Sequence, residues 1–185
     1  MQKKVIIIQF SSRNGGNCAD IGEFLRQYHS KMEVSTYIIS NSNLLPCSNC
    51  NYECLNNTAT CPNRTEYHDA VMNGICSGDL VYYIIPNYCG FPCANFFAFN
   101  ERKVGFFNGD RALMQKYMSV KKKFIVVSNT ENDIFMNAIK QQVYAEPEIL
   151  YLKTNKYGKN SIAGDLLEST EAKNDLEAFL NRSLS

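Results

Sequence analysis

KVIIIQFSSRNGGNC, residues 4–18, decides the fold. Lys4 to Phe10 is an apolar run rich in β-branched side chains, the pattern of a strand covered on both faces. Ser11 to Asn17 breaks that run with paired glycines and small polar residues, a turn signal. From Cys18 to about Ser30 the apolar residues Ile21, Phe24, Leu25 and Tyr28 recur at helical spacing. A buried strand, a glycine-rich turn and an amphipathic helix in succession open a βαβ unit.

The rest of the chain repeats the alternation. Glu33 to Ile39 reads as a second strand, and Thr65 to Cys76 as a helix capped by Thr65. Asp79 to Ile85 (DLVYYII) is the strongest strand, stopped by Pro86. Lys121 to Val127 is a fourth strand, Glu131 to Val143 a helix, and Ile149 to Lys153 a short peripheral strand. Ser169 to Asn181 opens with STEAK, a helix-start pattern, and runs as a final helix. Strands alternating with helices require a parallel sheet covered on both faces, joined by right-handed crossovers. The expected fold is α/β: a flavodoxin-like three-layer α/β/α sandwich with five parallel strands in the order 2-1-3-4-5.

The 185 residues, with no repeat or linker, are expected to form one domain, 1–185. Apolar residues make up 45% and charged residues 20%, a globular profile. Nineteen basic and 18 acidic residues leave a net charge of +1, which excludes a general electrostatic grip on nucleic acid or an anionic membrane. The longest apolar run, Leu80 to Pro86, is far short of a bilayer span. MQKKVIIIQF carries too short an apolar stretch for a secretory leader, so the expected location is cytoplasmic.

In a doubly wound sheet, ligands bind beyond the carboxyl ends of the strands, at the switch point. Those ends are Ser11 to Cys18, Pro86 to Phe91 and Ser128 to Thr130. In the first, Gly15 and Gly16 let backbone N–H groups turn toward one centre, Ser11, Ser12 and Asn17 add neutral donors, and the helix adds its positive end. This suits a phosphate, although an ordinary βα turn also has this composition. The loop is neither G-x-G-x-x-G nor a P-loop.

Together with Pro86-Asn87-Tyr88, this loop resembles the NAD(P)H-dependent FMN reductase family of flavodoxin-like proteins. Ser11, Arg13, Gly16 and Asn17 match its Ser-x-Arg-x-x-(Gly/Ser)-Asn-(Thr/Ser) phosphate loop; Cys18 stands in the hydroxyl position. Pro86, Asn87 and Tyr88 match a Pro-x-Tyr turn that lies against the isoalloxazine, with Cys89 in place of the usual Trp. The resemblance implies FMN held by Ser11, Ser12, Arg13, Asn14, Gly16, Asn17 and Cys18 at the phosphate and by Pro86, Asn87, Tyr88, Cys89, Ser128 and Asn129 around the ring. It implies hydride transfer from NADH or NADPH to the flavin, then to an acceptor. No protein acid or base is needed; Tyr88 is the one candidate for a direct part. Arg13 suits either the FMN phosphate or the 2′-phosphate of NADPH. The alternatives are a flavodoxin-like or iron–sulfur electron carrier reduced by a protein partner, and a flavin-free protein that keeps only the fold.

Four cysteines, Cys47, Cys50, Cys54 and Cys61, crowd the loop after the second strand. Compact spacing of this kind serves an iron–sulfur cluster. The position is similar to the cysteine insertion of the iron–sulfur flavoproteins, which would make these residues ligands of a [4Fe–4S] cluster. Zinc and plain reduced thiols are the other readings. Residues 91–109 hold six phenylalanines; Phe96, Phe99 and Phe106 share a helical face that points to the core, while Phe97 departs from it. An interface is the alternative use of such a stretch, and a homodimer is expected. His29 and His68 read as surface residues, and Lys121-Lys122-Lys123 as a solvated strand start.

Overall fold

A computed structural model describes residues 2–42, 44–48, 50–56, 61–129, 133–143 and 147–182. Strand β1 (Lys4–Gln9) leads into α1 (Asn17–Tyr28) and β2 (Glu33–Ile38). A cysteine-bearing loop holding the short α2 (Glu53–Asn56) precedes α3 (Glu66–Ser77) and β3 (Leu80–Tyr88). A two-residue strand, β4 (Phe91–Pro92), and three helices, α4 (Ala94–Glu101), α5 (Lys103–Phe107) and α6 (Arg111–Ser119), follow. Then come β5 (Lys121–Ser128), α7 (Asp133–Val143), β6 (Glu148–Lys153) and α8 (Thr170–Asn181).

The sheet order is β2-β1-β3-β5-β6, every neighbour parallel. This is the expected 2-1-3-4-5 order; β4, which pairs antiparallel with β3 off the main path, takes one number. Alternation along the strands splits the core in two. Ile6, Ile8, Val81, Tyr83, Phe124 and Val126 face α3 and the helices after β4, whereas Val5, Ile7, Tyr82, Ile84 and Ile125 face α1 and α8. Each strand is apolar on both sides because each side has its own helical layer. Thr65 caps α3 by accepting from His68 N at 3.2 Å, and Ser169 caps α8 by accepting from Ala172 N at 3.3 Å. Phe96, Phe99 and Phe106 are buried as their spacing predicts, but in two helices interrupted at Arg102.

Three polar expectations are overturned. His29 and His68 are buried, not exposed. His68 packs on Phe99 and Phe106 with Nε2 3.2 Å from Phe99 O, and burial pushes its pKa down to about 4. His29 sits beside Tyr82, with Nε2 3.0 Å from its hydroxyl. Lys123 is 0% exposed: its register opposite Tyr82 turns it inward, where Nζ donates to Phe179 O at 2.7 Å and pairs with Glu148 at 3.1 Å. A long stem that ends on a carbonyl and a carboxylate lets lysine open a buried strand.

Candidate functional site

The loop after β1 keeps its donors open. Gly15 and Gly16 have φ of 94° and 86°, values that side-chain-bearing residues rarely adopt. A Cβ at Gly15 would meet nothing within 4 Å. Gly16 is the N-cap of α1 and brings no side chain to the first turn. Among the described residues, the N–H groups of Asn17 and Cys18 therefore have no protein acceptor. Ser11 Oγ accepts from Arg13 N at 3.1 Å, which curls the loop. Burial, then the nearby Cys93, push the Cys18 thiol up to about 12, so Cys18 brings no negative charge to this end of α1.

The turn after β3 is built by pairing. Pro86 is the last residue of β3 to pair with β5; Asn87 and Tyr88 pair instead with Pro92 and Phe91. The strand thus runs two residues past the proline expected to stop it. Cys89 and Gly90 complete the hairpin with φ of 53° and 89°, the two positive angles of a type I′ turn. Asn87 secures it, accepting from Gly90 N at 2.9 Å and donating to Ser128 Oγ at 2.9 Å. Tyr88 is 46% exposed and its hydroxyl lies near Ser11; partial burial raises its pKa.

A fourth segment, absent from the sequence reading, completes the wall. Residues 158–166, between β6 and α8, run across the loop after β1. Asn17 Nδ2 donates to Ser161 O at 3.1 Å, and Asn17 Oδ1 accepts from Leu166 N at 3.0 Å. Arg13 Nη2 donates to Ile162 O at 2.9 Å. A Cβ on Gly164 would lie 3.1 Å from Gly16 Cα, so the two backbones touch. Asn129 ties this strap to β5, accepting from Thr154 Oγ1 at 2.5 Å and from Ser161 N at 3.3 Å. The available signal was length: residues 154–169 form a long connection, and such connections are uncommon unless functional.

These segments enclose a cavity of about 130 Å³. Of the residues the sequence nominated, Ser11, Arg13, Asn17 and Cys18 line it from one side and Pro86, Asn87 and Tyr88 from the other. Ser12 does not line it; its hydroxyl accepts from Asn95 at 3.1 Å. Asn14, Gly16, Cys89, Ser128 and Asn129 also stand outside the lining, Ser128 and Asn129 acting through Asn87 and the strap. Thr130 lies outside the described residues. Gly15, read as a turn residue of the loop, lines the cavity too, as do Val127, Ser161 and Ile162, which were not nominated. The lining holds one guanidinium and no carboxylate, beside a helix N-terminus. That electrostatic setting favours an anion. An FMN phosphate fits it: Arg13, the open N–H groups and Ser11 would hold it.

The cysteine loop is organised differently. Cys61 is buried against Gly105, Cys47 is exposed with its N–H on Glu101 at 3.0 Å, and Cys50 and Cys54 are half-buried. Among the described residues, no three His, Cys, Asp or Glu side chains form a group able to hold a metal ion, so neither a [4Fe–4S] cluster nor a zinc site is supported there. The loop is held instead by Arg102, 6% exposed, which donates to Leu45 O at 2.9 Å, to Pro46 O at 3.2 Å and to Asn63 O.

No family model matches the sequence, and no curated protein matches it. Solved structures do match. The Trp repressor binding protein from Bacillus subtilis superposes with a TM-score of 0.64 at 14% identity, over 98% of this chain and 99% of that one. The fold is flavodoxin-like. An azoreductase from Bacillus anthracis gives 0.57 at 12% identity over 97% of each chain. A flavoenzyme NAD(P)H:(acceptor) oxidoreductase from Paracoccus denitrificans gives 0.55 at 13% identity, over 97% of this chain and 96% of that one. Among the described residues, no helix is long and apolar enough to cross a membrane.

Proposed function

We propose that this protein is an FMN-dependent NAD(P)H oxidoreductase acting on a small-molecule acceptor. The observation that carries the reading is the carboxylate-free cavity at the switch point, between the open N-terminus of α1 and Arg13. Oxidoreductases among the proteins of like fold support it. At about 130 Å³ the cavity is smaller than the ~300 Å³ or more of a site that swallows a whole ligand. It therefore encloses the phosphate end, and the ring system lies outside it against the hairpin of Asn87 to Gly90.

When bound, the flavin accepts a hydride from the nicotinamide and returns the electrons to the acceptor. The chain's own work is positional. Arg13 keeps Nη2 on Ile162 O and would offer its remaining N–H groups to a phosphate oxygen, a charge-assisted bond. Asn87 holds the hairpin at a fixed height above β5. Tyr88 presents an aromatic edge whose hydroxyl stays protonated at neutral pH. The exposed Tyr88 and Phe91 beside the cavity support a homodimer that covers the ring.

Riboflavin 5′-phosphate titrated into the protein is expected to lose fluorescence saturably, and riboflavin to bind about a hundredfold more weakly for want of the phosphate. Anaerobic mixing of the complex with NADH or NADPH is expected to bleach the flavin directly. No quenching overturns the cofactor. Bleaching only when a separate reductase is added overturns the enzyme in favour of an electron carrier.

A further inference from the structure

A second cavity, of about 160 Å³, lies at the opposite end of the sheet. It opens where β1, β3 and β5 begin, and Val5, Leu80 and Lys121 stand in one row across those strands. The C-terminus of α1 forms the side wall with His29, and Met32 completes the apolar floor with Val5 and Leu80.

Its polar groups are unlike those of an ordinary surface hollow. His29 is 2% exposed, and one ring nitrogen is engaged by the Tyr82 hydroxyl at 3.0 Å. Nδ1 has no partner among the described residues. His29 lines the cavity, and its ring carries this unengaged nitrogen. Lys3 stands at the mouth with no carboxylate partner among the described residues. Lys121 stands opposite, its ammonium 3.0 Å from Glu148, which is shared with Lys123. The one acid in the wall, Asp79, is already bonded by Lys4 N at 2.7 Å. The carbonyls of Leu25 and Gln27 at the end of α1 accept from the N–H groups of His29 and Ser30, and His29 O accepts from Met32 N, which mutes the negative end of that helix.

We propose that this cavity binds a small carboxylate with an apolar body, its head between Lys3, Lys121 and His29 Nδ1–H and its body on Val5, Met32 and Leu80. The volume agrees: an apolar cavity of roughly 150 Å³ takes up benzene. The Tyr82 hydroxyl donates to Nε2 in the bound state, which fixes the proton on Nδ1 where the carboxylate needs it. Burial and the Lys123 ammonium lower the pKa of His29 in the free protein; a bound anion opposes both and raises it.

Benzoate is the probe, read by the ring resonances of the two histidines, His29 and His68. The expected result is a saturable shift of the His29 signals and a higher His29 pKa, with His68 unmoved. Benzamide, of the same shape without the charge, is expected to bind about tenfold more weakly or worse, and inorganic phosphate likewise. Lys3→Met and Lys121→Met, both at exposed positions, are each expected to weaken benzoate by about tenfold and leave riboflavin 5′-phosphate binding unchanged. No saturable shift at tens of millimolar benzoate overturns the site. Equal response to benzamide overturns the charge recognition, and equal response to phosphate overturns the apolar body. Because the site lies across the sheet from the flavin cavity, these results stand whether or not flavin binds.

Discussion

Two arginines show how the same side chain serves opposite ends. Arg13, in the loop after β1, is exposed and spends one N–H on one backbone carbonyl. Arg102, under the cysteine loop, is buried and spends its fork on the carbonyls of Leu45, Pro46 and Asn63. The first has donors to spare and faces a cavity; the second has a fixed set of acceptors and faces packed chain. Spare donor capacity beside a cavity marks the arginine that meets a ligand. A full set of backbone acceptors around a buried guanidinium marks the one that fixes a fold.

The largest effect expected from this contrast is on stability. Arg102→Ala removes a buried side chain and its charge-assisted bonds to the carbonyls of Leu45, Pro46 and Asn63, and is expected to cost about 3 kcal/mol, seen as a lower urea midpoint at unchanged slope. A loss below about 1 kcal/mol would place Arg102 with Arg13. Asn17→Ala removes the amide that both donates to the strap and accepts from it, and is expected to cost about 2 kcal/mol. Early proteolytic cleavage within 158–166 is the accompanying sign.

The next effect is on pH dependence and belongs to the Arg102 side, since His68 lines the same small cavity. Its folded pKa of about 4 lies below the ordinary 6.5, so the unfolded chain binds the extra proton between those values. The stabilisation is complete above pH 6.5 and is lost as pH falls toward 4. Urea titrations at pH 7 and pH 5 should therefore differ by about 2 kcal/mol, and His68→Gln should remove that difference. The smallest effect is at Arg13. Arg13→Ala is expected to change stability by less than about 0.5 kcal/mol while weakening riboflavin 5′-phosphate by about tenfold, measured by calorimetry. Unchanged affinity would remove Arg13 from the site.

What the sequence disclosed follows from range. The strands, α1, α3, α8 and their Thr65 and Ser169 caps are local patterns, and the structure has them where the periodicity put them. The loops after β1 and β3 were legible because strand ends fix where a doubly wound sheet binds. The strap was not, because its contacts to Arg13 and Asn17 cross about 150 positions and leave no periodic trace. His29, His68 and Lys123 misled for a related reason. Their residue types predict exposure, but their partners, Tyr82, Phe99 O and Phe179 O, come from distant segments. The cysteine spacing is local, but a metal group depends on how four side chains converge in space; among the described residues none is formed, and Arg102 ties the loop through the carbonyls of Leu45 and Pro46.

The strap also sets an order of events during synthesis. Residue 13 is fastened to residue 162, and the amide of residue 17 to residue 166. On the ribosome, the first βαβ unit can fold while the loop after β1 still lacks this cover. The nascent chain therefore displays the loop after β1 uncovered until the stretch beyond β6 has emerged.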